Sequence, residues 1–369
     1  MKRDDFLRQA AAVSILAGTP RLALAKFEDD SFAPAVRAWR TFRLTTLVTL
    51  PGSPQPVRAW IPVPGFAESD WMRPGATTWE TNASSASIVS QGKWGVKMLV
   101  VDWLKSEPSA TIKVTSVVST RDRVVDFAKP GRPQALSRDE YALYTSATKL
   151  QPTDGIVADT AKKIVGSATG GAARAKLIYE WVVESASRNP KTRGCGLGDV
   201  SFMLETGDLS GKCADINGLY VALARAAGIP ARDLYGIRVA PSRFGYHSLG
   251  TSSSTISKAQ HCRAEVYLDE YGWVPADPAD VRKVMLEEPP GHLALSDPKV
   301  KAARDTLFGA WEGNYVAYND GHDVTLPGSS GDDLGFLMYP QAEIRAERRD
   351  SLDPVTFVYT IESEEITRG

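Results

Sequence analysis

The hydrophobic pattern of this chain changes from strand-like to helix-like near residue 130, and this change limits the fold more than any other sequence feature. Between Trp39 and Asp126, segments rich in Val, Ile, Thr and Trp alternate with clusters of Gly, Pro, Ser and Asn. We therefore predict an N-terminal all-β domain of the sandwich type. This region contains no His and no Cys, so we expect the chemistry of the protein to lie elsewhere.

Helical spacing dominates after a linker that is rich in Pro and Gly. Apolar residues at helical spacing predict helices in ADTAKKIVGSA, AARAKLIYEWVVESASR and ADINGLYVALARAAG. Asn189-Pro190 is expected to end the second helix, and a polar loop should then run from Lys191 to Lys212. RAEVYLD and GWVPADP read as the two strands of a hairpin. The pattern indicates an α+β fold.

These segments divide the chain into five predicted parts. They are a signal peptide (1–25), the β-domain (26–128), the linker (129–150), a catalytic core (151–290) and a C-terminal extension (291–369). The extension should contain a helix in VKAARDTLFGAW and a strand in TFVYTIES. We expect it to pack on the core or on the β-domain.

Composition excludes several classes of protein. The 43 basic and 44 acidic residues give a formal net charge of −1, which argues against a nucleic-acid partner. No run of 18 apolar residues predicts a transmembrane helix. The three cysteines are too few for a disulfide scaffold or a Cys-rich zinc domain. Nothing in the sequence calls for a cofactor, and nothing in it indicates the oligomeric state.

The first 25 residues have the order of a secretory signal peptide. Basic residues precede the apolar run AAAVSILAG, and Ala23-Leu24-Ala25 forms a cleavage site before Lys26. The start also resembles a twin-arginine export signal, except that Asp4 stands where the second arginine belongs. We therefore expect a periplasmic or secreted protein and leave its export route open.

Three residues carry the predicted chemistry. Cys213 opens the third helix, where the helix dipole and unpaired N–H groups favour a thiolate. His261 opens the first hairpin strand and Asp277 ends the second, so adjacent antiparallel strands can bring them together. A carboxylate behind an imidazole fixes its tautomer and stabilises the imidazolium.

The sequence around these residues resembles the transglutaminase-like superfamily of papain-type thiol enzymes. The matching runs are GKCADINGLYVALARAAGIPAR and HCRAEVYLDEYGWVPADP, and the resemblance extends over about Ala173 to Pro278. It implies a papain-like core in which a helix carrying the cysteine packs on an antiparallel sheet. It also implies a catalytic triad of Cys213 as nucleophile, His261 as general base and acid, and Asp277 as orienting carboxylate, and the β-domain looks like one that often accompanies bacterial members.

The chain departs from the family pattern at two places. Arg263 stands two residues after the histidine, where the family often has an aromatic residue, and on a strand it shares the face of His261. The glutamine that papain-like enzymes use for the oxyanion is absent, because Gly207 occupies its position. The Cys213 backbone N–H is one natural oxyanion donor. The remaining candidates for the oxyanion site or the cleft are Asn189, Trp181, Tyr179, His247 and Arg263.

Cys195 and Cys262 have two alternative interpretations. In an oxidising compartment they could form a disulfide that ties the loop before Cys213 to the histidine strand. Otherwise one is a buried and the other an exposed free thiol. A metal site built from the three cysteines and His261 is not expected, because the sequence has no Cys-x-x-Cys pair.

We expect acyl transfer through a thioester on Cys213. Attack by water would make the protein a cysteine protease or amidase acting on a protein, peptide or cell-wall peptide, and this is the favoured reading. Attack by an amine would make it a crosslinking transglutaminase. A non-catalytic periplasmic binding or scaffold protein is the third alternative.

Overall fold

Helices and strands divide the chain much as the pattern predicts, in a computed structural model that describes residues 32–104 and 107–367. The predicted signal peptide therefore lies outside the described residues. The helices of this part are α1 (Arg138–Thr145), α2 (Gly155–Val165), α3 (Gly171–Ser185), α4 (Val200–Thr206), α5 (Cys213–Ala226), α6 (Pro278–Glu287) and α7 (Pro298–Thr306). No helix in these ranges is long and apolar enough to cross a membrane.

Most strands are antiparallel, and they lie either before or after α1 in the chain. The strands up to α1 are β1 (Arg40–Ser53), β2 (Val57–Pro62), β3 (Met72–Thr81), β4 (Ser85–Gln91), β5 (Val96–Trp103), β6 (Glu107–Thr120) and β7 (Arg123–Val124). The later strands are β8 (Ser187–Arg188), β9 (Ser210–Gly211), β10 (Ala231–Arg238), β11 (Gln260–Leu268), β12 (Gly272–Ala276), β13 (Ala310–Trp311), β14 (Tyr315–Asn319), β15 (Gln341–Ile344), β16 (Glu347–Arg348) and β17 (Val358–Thr367).

Two antiparallel sheets form the β-rich region. Their strand orders are β17-β1-β6-β3 and β16-β15-β2-β5-β4. Along β1 buried and more exposed residues alternate, because successive side chains of a strand point to opposite faces. Val48 and Leu50 of β1 pack with Ile61 of β2 and Leu99 of β5 in a core between the sheets. Late strands of the chain complete both sheets, since β17 pairs with β1 and β15 pairs with β2.

A third antiparallel sheet, of order β12-β11-β10-β14, supports the region around Cys213. Helix α5 packs on β10 and β11 and is surrounded by α2, α3, α4 and α6. Residues Cys213 to Arg225 of α5 are all buried, as expected for a helix that is largely apolar on every face. Gly228, at φ +75°, allows the chain to leave the helix, and Pro230 prevents its continuation. The α+β fold, with a helix-borne cysteine on an antiparallel sheet after a β-rich region, is confirmed.

Five local predictions need correction. The second helix ends at Ser185 rather than at Asn189, and the predicted linker contains α1, whose Ser137 and Glu140 form a capping box. The loop before Cys213 contains α4, capped by Asp199. Helix α6 follows β12 directly and was not predicted, although Asp277 before Pro278 is a helix-start signal. The helix predicted in VKAARDTLFGAW ends at Thr306, and its last two residues form β13.

Candidate active site

Cys213 is the first residue of α5. The chain enters the helix at Lys212, which is still extended, with φ −116° and ψ −159°. The backbone N–H of Cys213 lies in the first turn, where helix geometry provides no carbonyl partner. The residue is 3% exposed, and its side chain reaches the surface only through a cleft. The positive end of a buried helix is therefore directed at the sulfur.

Asp215 fixes the backbone of the loop that precedes Cys213. Its Oδ1 accepts hydrogen bonds from the backbone N–H groups of Leu197 and Gly198, and its Oδ2 accepts one from Lys212 at 2.9 Å. A Cβ at Gly196 or at Gly211 would overlap this carboxylate. The two glycines thus allow the carboxylate to lie against the backbone.

The predicted histidine and aspartate are in contact. His261 Nε2 lies 2.8 Å from Asp277 Oδ2, and both side chains are buried. His261 sits near the start of β11, and Asp277 caps α6 by accepting the backbone N–H of Asp280. Since Nε2 is engaged by the carboxylate, Nδ1 is the ring atom left for proton exchange with a nucleophile.

A second carboxylate, which the sequence analysis missed, lies beside the imidazole. Asp280 Oδ1 is 3.4 Å from His261 Nε2 and 2.5 Å from the guanidinium of Arg238. Burial opposes ionisation of Asp280, but Arg238 holds its pKa well below the ordinary value. Burial and Arg238 lower the pKa of His261, but the carboxylates of Asp280 and Asp277 outweigh them and raise it above its ordinary value. The site therefore favours an imidazolium.

Asp277 differs from Asp280 in its electrostatic environment. Burial raises the pKa of Asp277, the neighbouring Asp280 raises it further, and His261 opposes both. Asp277 thus orients the imidazole ring. Asp280, which is paired with Arg238, supplies the negative charge that is more firmly held. The signal for Asp280 in the sequence was its place in the first turn of a helix capped by Asp277.

Asn217 connects helix α5 to the hairpin formed by β11 and β12. It lies one turn after Cys213, and its Nδ2 donates to the carbonyl of Cys262 and to Asp277 Oδ1. Its Oδ1 accepts the backbone N–H of Ala279 at 3.0 Å. A fully buried Asn in an apolar helix, four residues after the cysteine, is the sequence signal that could have found it.

The side chains proposed for the oxyanion site or the cleft all lie outside the cleft that contains Cys213. Tyr179 is buried and donates its hydroxyl to the carbonyl of Arg304, and Trp181 packs against the core. Asn189 uses its side-chain oxygen to accept the backbone N–H of Lys191. His247 is exposed beyond the cleft.

Arg263 also requires correction, because it lies behind the site rather than on the cleft wall. Its guanidinium is buried against the rings of Trp311 and Tyr315, at 4.8 and 4.6 Å from their centroids. Its Nε is 3.7 Å from Asp277 Oδ2. The strand alternation does place Arg263 on the face of His261, but the two aromatic rings hold it in the interior.

The three cysteines form one buried cluster of free thiols. The sulfur atoms of Cys195, Cys213 and Cys262 all lie within 4.8 Å of one another. The structure contains no Cys195–Cys262 disulfide, and neither thiol is exposed, so neither alternative of the sequence analysis describes this cluster. Hydrogen bonds from Cys213 and Cys262 lower the pKa of Cys195, whereas burial raises the pKa of Cys262.

A cleft of about 640 Å³ is lined by both Cys213 and His261. The loop before α5, the start of β11, the Ser-rich loop 250–259 and the segment 351–359 contribute its sides. Hydrogen bonds from Ile256 to Ile361 and from Ile361 to Ser257 attach the Ser-rich loop to β17. A volume of this size accommodates a small molecule or a short stretch of peptide.

Several known proteins are similar to this chain. A Haemophilus influenzae protein described only as uncharacterized is 34% identical over 375 residues, covering 98% of this chain and 100% of the relative. The crystal structure of a candidate cysteine protease from Cytophaga hutchinsonii has the same fold, with a TM-score of 0.53 at 12% identity. The match covers 91% of this chain and 94% of that one. The periplasmic domain of TgpA from Pseudomonas aeruginosa aligns over 69% of this chain and 74% of its own, at 15% identity and a TM-score of 0.33.

The family profile of the transglutaminase-like superfamily matches residues 158–278. This range begins in α2 and ends at the first residue of α6, so it contains Cys213, His261 and Asp277. The order and spacing of these residues, the helix–sheet arrangement that holds them and the profile match coincide, and residues 158–278 of the chain are a domain of the transglutaminase-like superfamily.

Proposed function

We propose that the protein is an exported cysteine-dependent hydrolase that cleaves peptide or isopeptide amides through a thioester on Cys213. The observation that supports it is the presence of Cys213 and the Asp277-bound His261 in the wall of one cleft. Export is proposed from the N-terminal 25 residues, and N-terminal sequencing of the exported form should then begin at Lys26.

The first half-reaction forms the thioester. The Cys213 thiolate attacks the amide carbonyl carbon, and the backbone N–H of Cys213 at the start of α5 stabilises the oxyanion. The His261 imidazolium gives its proton to the leaving nitrogen as the C–N bond breaks, so the amine departs neutral. Asp277 holds the ring, and the ionised Asp280 stabilises its protonated form.

The second half-reaction releases the acyl group. His261, now neutral, takes a proton from water while the water oxygen attacks the thioester carbonyl. The C–S bond then breaks, the acid leaves, and the thiolate–imidazolium pair is restored. Hydrolysis is favoured over crosslinking because water is always present, whereas crosslinking needs an amine bound beside the thioester.

Site-resolved alkylation tests the proposed nucleophile without requiring a known substrate. We expect iodoacetamide to label Cys213 rapidly at about pH 6, and we expect His261→Ala to slow that labelling by at least about tenfold. Peptide mass spectrometry is needed because Cys195 and Cys262 lie within 4.8 Å of the same sulfur. A Cys195→Ala variant should retain the fast, histidine-dependent labelling of Cys213. Labelling that rises only near pH 8.5, unchanged in His261→Ala, would favour a binding protein.

Turnover assays then distinguish water from an amine as the acyl acceptor. Peptide libraries incubated with the protein should lose amide bonds with uptake of water, and Cys213→Ala should abolish this while keeping the fold. Added primary amine should remain largely unincorporated. Efficient incorporation of the amine would instead assign the protein as a transglutaminase.

A further inference from the structure

The charged residues that line the cleft all have the same sign. Charged residues make up 24% of the chain and are almost equally divided between the two signs. Among the residues that the structure describes, the lining by contrast contains no Asp and no Glu. Its charged members are Arg188, Arg193, Lys212, Arg238, Lys258 and Lys283.

Nearby carboxylates neutralise only part of this charge. Arg238 pairs with Asp280, while Arg188 and Lys283 share Glu287. Arg193 pairs with Asp350. Six cations thus face three carboxylates, and none of the three lines the cleft.

Two lysines in the lining have no counter-charge. Within the described ranges, no carboxylate oxygen lies within 4.0 Å of the ammonium group of Lys212 or Lys258, whereas the other four cations have such partners. An unpaired ammonium group at the edge of a cleft is free to meet a ligand carboxylate, and a concave low-dielectric wall strengthens its field.

These lysines flank the reacting pair. Lys212 directly precedes Cys213 at the start of α5, and Lys258 lies three residues before His261 on the loop that leads into β11. The apolar side of the cleft is provided by the segment that includes Leu352 and Pro354. A short acidic peptide could therefore place its backbone against this side and its carboxylates against the lysines.

We propose that the cleft selects acyl donors that carry carboxylates next to the scissile amide, that is, acidic peptides. This inference deepens the proposed function and rests on Cys213 as the nucleophile. A carboxylate on the acyl side or on the amine side of the amide would meet Lys212 or Lys258, and the paired arginines would add to the field. A basic peptide would meet only cations and would be repelled.

A pair of small alkylating agents tests this charge preference. Iodoacetate is anionic and iodoacetamide is neutral, so the ratio of their rates at Cys213 reports the potential at the sulfur. The imidazolium of His261 also contributes, and for this reason the comparison is made between lysine variants. We expect Lys212→Met and Lys258→Met each to lower the ratio by about twofold, and the double variant by about fivefold. The exposed Lys301, which lies outside the cleft lining, provides the control Lys301→Met, in which the ratio should not change.

Salt and peptide competition extend the test. Raising the ionic strength from roughly 20 to 500 mM should lower the ratio for the wild type and have much less effect on the double variant. Acetyl-Glu-Asp-Gln-Glu-Asp-amide should protect Cys213 from iodoacetamide at a concentration at least about tenfold lower than acetyl-Lys-Lys-Gln-Lys-Lys-amide.

Failure of the two proposals can be told apart. Fast, His261-dependent labelling with equal protection by both peptides, and a ratio unaffected by either lysine, would overturn the charge preference and leave the nucleophile intact. Slow labelling of Cys213 by both reagents would overturn the proposed function itself.

Discussion

The imidazole of His261 lies beside two carboxylates, and the second of them was not expected. Asp277 occupies the position that the hairpin predicted, at 2.8 Å from Nε2. Asp280 belongs to a helix that the sequence analysis did not find, and Arg238 keeps it ionised. A fixed negative charge near the ring makes the imidazolium easier to form and strengthens a thiolate–imidazolium pair.

Replacing Asp280 by Asn should therefore weaken the pair. The carboxylate raises the pKa of His261, so its removal makes the imidazolium, and with it the Cys213 thiolate, less populated at acidic pH. We expect Asp280→Asn to slow alkylation of Cys213 several-fold at about pH 6 and to have little effect at about pH 9. The amide oxygen of Asn still offers Arg238 an acceptor, and thermal denaturation verifies that the variant folds.

The exposed Glu184 provides the matched control for this experiment. Its carboxylate pairs with Arg304, and neither residue contacts His261 or Cys213. Glu184→Gln should therefore leave the rate of Cys213 alkylation unchanged at each pH. If Asp280→Asn had the same pH dependence of Cys213 alkylation as the wild type, Asp280 would serve only to anchor Arg238.

The three residues of the proposed triad stand out in the sequence because their immediate surroundings are local. A helix start, a strand start and a strand end can be read within ten residues of Cys213, His261 and Asp277. The contacts of Asp280 and Asn217 depend on how α5 and α6 pack, and such packing is not encoded in any short window. The failure of Arg263 as a cleft residue has the same origin, since Trp311 and Tyr315 come from distant strands.

At the level of elements, the start of α5 depends on the Asp215 carboxylate, which packs directly against the backbone at two glycines. Asp215 accepts three backbone hydrogen bonds, and the absence of side chains at Gly196 and Gly211 allows it to do so. The run Gly211-Lys212-Cys213 is recognisable in the sequence, but this reason for its glycine becomes visible only in the fold.

An alanine at Gly211 should displace the start of α5. Its Cβ would overlap the Asp215 carboxylate, and the displaced carboxylate would leave buried N–H groups unpaired at a cost of about 1–3 kcal/mol each. We expect Gly211→Ala to lower the free energy of unfolding by about 3 kcal/mol and to remove most of the fast alkylation of Cys213. Urea denaturation and site-resolved labelling measure the two effects.

Gly131 offers a control with ordinary space around it. The nearest atom to an added Cβ there is 3.8 Å away, so Gly131→Ala should change neither quantity by a measurable amount. If Gly211→Ala behaved like Gly131→Ala, the loops around Asp215 would have to adjust more easily than the packing indicates.

At the level of the whole molecule, the β-rich region and the helices share a core. Phe42 and Leu44 of β1 belong to the same buried cluster as Ile178 of α3 and Leu219 of α5. Residues from Ser31 onward also form one compact unit. The domain boundaries inferred from sequence remain a prediction, because a change in pattern along a chain does not reveal which apolar surfaces meet in space.

Thermal unfolding tests whether that shared core couples the two regions. We expect one cooperative transition, followed equally by helix signal and by exposure of Cys213 to alkylation. Phe42→Ala should lower the free energy of unfolding by about 3–5 kcal/mol and shift both signals together. Leu47 lies in the same strand but is 42% exposed, so Leu47→Ala should cost less than about 0.5 kcal/mol. Two separate transitions, with only the earlier one moved by Phe42→Ala, would instead support independent domains on either side of residues 129–150.

The cleft wall formed by residues 351–359 also sets the order in which the site can be completed. Synthesis starts at the N-terminus, so Cys213 emerges long before Phe357 and Tyr359, and β1 is made long before its partner β17. At 5–20 residues per second, the ribosome needs roughly 7 to 30 seconds to pass from the nucleophile to this wall. During that interval the Cys213 thiol exists without this wall of the cleft. The cleft is therefore complete only after residues 351–359 have been synthesised and β17 has paired with β1.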